Sequence, residues 1–207
     1  MMRVIPAPEP ESFDKVVRQR GLRKLQSIAE REYGGSMDAI PTSKFPPYWR
    51  DSLDDLPKAY HRICSSLCLY ISRGTEARSV DHMVARDTAW NQAYEWSNFR
   101  LACSLMNARK GKAPFVLDPF QVKDGWFALE LVEFQVLPGE GLAAPTVAAV
   151  KKTIRQLRLN DEECCGARAE YAEVYWQKEI NIDYLGSHAP FVASELRRQD
   201  RLLAGDS

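Results

Sequence analysis

The chain has 207 residues, enough for one fair-sized domain, and 45% of them are hydrophobic, including five Trp, eight Tyr and eight Phe. That composition supports a packed core and excludes wholesale disorder. Twenty-eight Lys and Arg balance 28 Asp and Glu, so the global basic excess of a free-standing nucleic-acid binder is missing, and any such contact must rest on a local patch or a partner.

Residues 1–11 read as an extended Pro-rich lead without an apolar run of signal-peptide length, and no stretch reaches the roughly 18 apolar residues of a spanning helix. From Phe13 to Glu32, apolar positions such as Val17, Leu25 and Ile28 predict one helix, or two broken at Gly21. A loop follows from Tyr33 to Pro47, then a helical stretch from Leu53 to about Ser65. Cys68–Ile71 and Arg78–Val84 read as two short strands joined by a turn at Ser72–Thr75. Ser97 is the expected N-cap of the next helix, packed by Leu101 and Leu105 and stopped at Gly111.

Trp126–Val136 is β-like, and the remainder is helical. Thr146–Leu157 carries apolar side chains at helical spacing, and Asn160 with Glu163 forms a variant capping box opening a helix through Tyr175. Ser187 is placed to cap a last helix. Three segments follow: an N-terminal lead and helix (1–52), a central core (53–125) and a strand-plus-helix region (126–207). Five cysteines at irregular spacing indicate reduced thiols, and a cytoplasmic location is expected.

Residues 78–112 concentrate the chemistry. Asp81-His82 ends a β-branched run, Asn98 lies at a turn, and Asn107 follows nine residues later. An imidazole with an ordinary pKa near 6.5 can serve as a general base at neutral pH. A carboxylate and an amide oxygen suit Mg²⁺, which takes few protein oxygens and keeps several waters. These are the parts needed to hydrolyse a phosphodiester. In an ideal strand, however, Asp81 and His82 face opposite sides. Arg86, Arg100, Arg109, Lys110 and Lys112 form a basic set with two open readings, a phosphate-steering patch or the solvated C-terminal end of a helix. Asp-His pairs alone are common; the value here lies in the combination with both asparagines.

Val80-Asp81-His82-Met83-Val84, Trp96-Ser97-Asn98-Phe99 and Met106-Asn107-Ala108-Arg109-Lys110-Gly111 resemble the HNH, or ββα-metal, nuclease family, in the His-Asn-Asn version found in RNA-guided effector nucleases. The resemblance implies an α+β protein with a ββα-metal core embedded in a mostly helical domain. It implies His82 as general base, Asp81 and Asn107 as ligands of Mg²⁺ or Mn²⁺, and Asn98 as the residue holding the loop that orients the imidazole. A looser likeness, through Phe13-Asp14 and Thr153-Ile154 to Leu159-Asn160, is to small HNH nucleases of bacterial anti-phage systems of the Septu and retron type. It implies DNA as substrate, with RNA open, and a protein partner such as an ATPase subunit. The alternative is an HNH-shaped binding or scaffold subunit without catalysis. The chain departs from the family at its cysteines: Cys64, Cys68 and Cys103 leave the fourth corner of a zinc knuckle to Met106 or His61, so a structural zinc is not expected.

Overall fold

The computed structural model describes residues 1–206. A π-helical turn, Asp14–Arg18, leads directly into α1, Gln19–Glu32. The helix runs through Gly21 without a break, because Gly21 is where the Tyr94 ring lies against the backbone. A Cβ there would sit 2.4 Å from ring carbons, so the position needs glycine for close approach.

The predicted helix at 53–65 is reduced to a 3₁₀ segment, Tyr48–Leu53, and one turn, α2, Leu56–Ala59. His61 and Arg62 then adopt left-handed backbone conformations (φ 49° and 62°), which no continuing helix tolerates. Cys68–Ile71 is not a strand either; it makes one isolated bridge, Ile63 to Tyr70.

The hairpin at the centre of the molecule pairs β1, Arg78–His82, with β2, Phe99–Cys103, antiparallel, in a register that sets Asp81 opposite Arg100 and His82 opposite Phe99. The helix expected from Ser97 therefore begins later, as α3, Ser104–Lys110, and ends at Gly111 with φ 53°. All five β2 residues are buried. A run covered on both faces has no alternation, and Leu101 and Leu105 fit a helix equally well on paper. β1, β2 and α3 thus form a ββα unit, but its second strand is not the one the sequence suggested.

β3, Phe127–Leu129, and β4, Val136–Pro138, form a second two-stranded antiparallel sheet. Four helices complete the chain: α4 Ala144–Leu157, α5 Glu162–Trp176, α6 Ile182–His188 and α7 Pro190–Arg198. Asp161, not Asn160, caps α5 by accepting from Cys164 N–H at 3.0 Å. Asn160 is spent on β4, accepting from Val136 N–H (2.7 Å) and donating to its carbonyl (2.9 Å). Ser187 lies inside α6 and caps nothing; its hydroxyl donates to Tyr184 O.

With helices and two small antiparallel sheets the class is α+β. One hydrophobic cluster joins Leu25 of α1, Phe99 and Leu101 of β2, Met106 of α3 and Tyr175 and Leu196 of the C-terminal helices, so the three sequence segments share one core. No helix among the described residues is long and apolar enough to cross a membrane.

Candidate active site

β1 ends at His82, and there the chain turns into the 83–98 loop. The strand end defeats the opposite-face problem: Asp81, His82 and Asn107 all line one polar cleft of about 240 Å³. Its other walls include Arg86 and Lys112 and, from the N-terminal segment, Thr42, Trp49 and Arg50.

The imidazole of His82 is held on three sides. Phe99 and Trp49 pack against it in T-shaped pairs at centroid distances of 5.0 and 5.3 Å. Its Nε2 lies 3.0 Å from the carbonyl of Ala93. A carbonyl only accepts, so Nε2 carries the proton and the neutral ring has its lone pair on Nδ1. Nδ1 has no partner among the described residues. Burial lowers the His82 pKa from 6.5 to about 4, opposed by the Ala93 bond and aided by smaller contributions from Arg86 and Lys110. At neutral pH the ring is an uncharged acceptor.

Asn98 is buried and uses its whole side chain on the loop. Its Oδ1 accepts from Val84 N–H (2.7 Å), and its Nδ2 donates to Val84 O (3.0 Å) and Gln92 O (2.9 Å). Met83 N–H donates to the Asn98 carbonyl at 2.9 Å. This one amide closes the two ends of the loop that carries Ala93 to the imidazole.

Asp81 is 4% exposed, and its Oδ1 accepts from Lys110 Nζ at 2.8 Å. Lys110 is equally buried and also donates to His82 O at 2.7 Å. Burial pushes the Asp81 carboxyl above its usual range against the opposing pull of Lys110 and Arg100. Asn107 donates through Nδ2 to Val80 O at 3.3 Å. Asp81 Oδ2 and Asn107 Oδ1 have no hydrogen-bond partner among the described residues. Neither is sealed from water, since among the described residues the one buried, unpartnered side-chain oxygen is Ser65 Oγ. One carboxylate oxygen and one amide oxygen fit a hard, partly hydrated cation such as Mg²⁺. A carboxylate whose burial costs more than one ammonium returns also gains from a further positive charge. No group of three or more His, Cys, Asp and Glu side chains among the described residues is placed to hold a metal. Cys64, Cys68 and Cys103 are buried thiols, with Cys103 N–H donating to Cys64 Sγ at 3.4 Å and Cys68 Sγ to Ser65 O at 3.9 Å.

The basic set divides. Arg86 and Lys112 line the cleft. Arg86 is half-buried over the Trp49 ring at 4.1 Å, with no carboxylate partner among the described residues, and burial pulls its pKa below the ordinary value. Lys112 is exposed and paired with Asp87. The other three are structural. Arg100 is 3% exposed and clasps Asp118 through two bonds of 2.8 and 2.7 Å. Arg109 joins α3 to the α4–α5 junction, donating to Leu157 O (3.2 Å), Arg158 O (3.1 Å) and Asp161. Lys110 is committed to Asp81. None of these three is free to meet a phosphate.

Arg50 and Trp49 were not legible as site residues. They follow Pro46-Pro47 on a 3₁₀ segment about 30 residues before the motif, and no local pattern announces that this segment folds over β1. Arg50 is exposed, and its guanidinium has no ion pair or hydrogen bond among the described residues. With Asp81 and Asp87 each neutralised by a lysine, Arg50 and Arg86 leave the cleft locally cationic in a chain of zero net charge. A larger, more apolar cavity of about 650 Å³, near Tyr60, Tyr70 and Phe120, lies apart from these groups. No protein-family model matches the chain, and no curated protein matches it in sequence.

Proposed function

We propose that the protein is a divalent-metal-dependent endonuclease of the HNH type that hydrolyses phosphodiester bonds of DNA. One observation carries the reading: a neutral imidazole with a free Nδ1, two oxygen donors and two unpaired guanidinium groups meet in a single cleft. Few reactions other than water attack on an anionic ester use that set.

In this reading His82 Nδ1 takes a proton from water as the oxygen attacks phosphorus. The imidazolium that forms is stabilised by its Nε2–H bond to Ala93 O. Arg86 and Arg50 hold non-bridging oxygens of the scissile phosphate, and Asn98 keeps the ring in place through the loop. Asp81 and Asn107 would hold Mg²⁺ or Mn²⁺, which would supply Lewis-acid stabilisation of the developing negative charge. The leaving oxygen is reprotonated from solvent, and no covalent enzyme intermediate forms. His82→Ala is expected to abolish cleavage of plasmid DNA in Mg²⁺ or Mn²⁺ without loss of fold by circular dichroism. Equal cutting by variant and parent removes His82 from the mechanism.

The biological role we propose is nuclease effector of a bacterial anti-phage complex, acting with a partner such as an ATPase subunit. A chain that runs alone on gel filtration from its native host and cuts efficiently without help overturns the partner. A second reading, a non-catalytic HNH-shaped binding subunit, has one observation in its favour: Lys110 already places a positive charge on Asp81. Metal titration separates the two, because a silent site shows no Mg²⁺- or Mn²⁺-dependent cleavage of duplex, single-stranded or RNA substrates.

A further inference from the structure

The cleft at His82 does not end at Arg86. Thr42, Arg86 and Asp87 are shared with a second depression of about 270 Å³, which continues past Phe45 to Met37 and Trp90. Met37 and Trp90 are shared in turn with a third, of about 510 Å³, bounded by Leu22, Gln26, Asn91 and Gln92. Depressions with common walls form one groove, and its chemistry changes along its length. At His82 it is polar and cationic; just past Arg86 it stays mixed, with Asp38 and Thr88 facing Met37, Phe45 and Trp90, and only beyond Trp90 does it become mainly apolar, edged by side-chain amides.

Trp90 is the notable wall. It is half-buried, no aromatic ring or cation stacks on it, and its indole N–H has no acceptor among the described residues. By contrast Trp96 donates to Ala7 O at 2.9 Å and Trp176 to Arg201 O at 3.0 Å. The acidic groups along the groove are mostly spent: Glu95 is bound to Arg18 and Asp87 to Lys112. Asp38 is the one carboxylate on the wall without a partner among the described residues.

We infer that the groove from His82 past Arg86 to Trp90 holds an unpaired stretch of polynucleotide, with a phosphate on Arg86 and a base against Trp90. The inference rests on the reading of the His82 cleft as a phosphodiester site. A duplex buries its base faces in its own stack and has none to offer Trp90. A single strand offers a base face, unpaired edges for Gln26, Asn91 and Gln92, and a phosphate for a half-buried guanidinium with no carboxylate partner. Aromatic stacking and a basic contact are the usual means of gripping a single strand.

The test uses the full-length His82→Ala chain, so that binding is read without cutting. Fluorescence anisotropy compares a labelled oligothymidylate of about 10 nucleotides with a duplex of equal length. The single strand is expected to bind tighter, Trp90→Ala to weaken it about tenfold, and duplex binding to stay unchanged. Two surface variants guard against a folding artefact: Asn91→Glu should weaken single-strand binding severalfold, and Asp38→Asn should strengthen it. An oligouridylate bound as well as the DNA strand supports the groove, since no contact in it depends on the sugar. Duplex preference, or affinities unmoved by all three groove variants, overturns the groove alone. Persistent cutting by His82→Ala overturns instead the phosphodiester reading beneath it.

Discussion

His82 makes the stability of this protein depend on pH. In the unfolded chain the ring has its ordinary pKa near 6.5; in the folded chain burial lowers it to about 4. Above pH 6.5 it is neutral in both states and contributes no dependence. As pH falls from 6.5 towards 4, the unfolded chain takes up a proton that the folded one refuses, so stability is lost on acidification. Below 4 both states are protonated and the loss is complete. A shift of roughly 2.5 pH units corresponds to about 3 kcal/mol, of which about 2 kcal/mol falls between pH 7 and 5. The perturbation is His82→Gln, which keeps a hydrogen-bond donor for Ala93 O but has no proton to gain. Urea unfolding of parent and variant at pH 7, 6 and 5 isolates the effect, because other groups cancel in the difference. The parent should lose about 2 kcal/mol relative to the variant across that range. A difference that stays flat refutes the buried, neutral imidazole; one that grows in the opposite direction means that the folded ring is held as a cation.

Lys110→Met leaves the Asp81 carboxylate buried without its ammonium and should cost about 3–5 kcal/mol in urea melts, with much of that recovered in the Asp81→Asn, Lys110→Met double variant. Asn98→Ala removes all three side-chain bonds to the 83–98 loop. Amide exchange in that loop should accelerate and DNA cleavage should fall by orders of magnitude, while global stability drops by about 1–3 kcal/mol. Gly21→Ala forces a methyl group onto the Tyr94 ring and should lower stability by about 1–3 kcal/mol, read as a depressed thermal midpoint; an unchanged midpoint means that Tyr94 moves aside freely.

The amphipathic helices were readable because their periodicity is local: α1 and α4 fall within a few residues of where the spacing put them. The hairpin was only half readable. β1 shows a β-branched run, but β2 is buried on both faces, and the missing alternation let it pass for the start of a helix. Capping residues misled for a related reason. Asn160 and Asp161 both suit an N-cap, and only the position of β4 decides that Asn160 serves the strand. Asp81, His82, Asn98 and Asn107 stand out as candidates because they fall within 27 residues of one another. Arg50, Trp49 and the Ala93 carbonyl do not, since each acts through a tertiary approach with no local pattern. The basic run at 109–112 shows the limit of counting charges: two of its three cations are consumed as internal ties, and nothing in their spacing says so.

The Arg109 guanidinium has a mechanical consequence. It grips two carbonyls at the end of α4 and the residue that caps α5, so the helix carrying Asn107 is bolted to the distal layer two residues downstream of that amide. A displacement of the α4–α5 junction therefore pulls directly on the helix that lines the cleft.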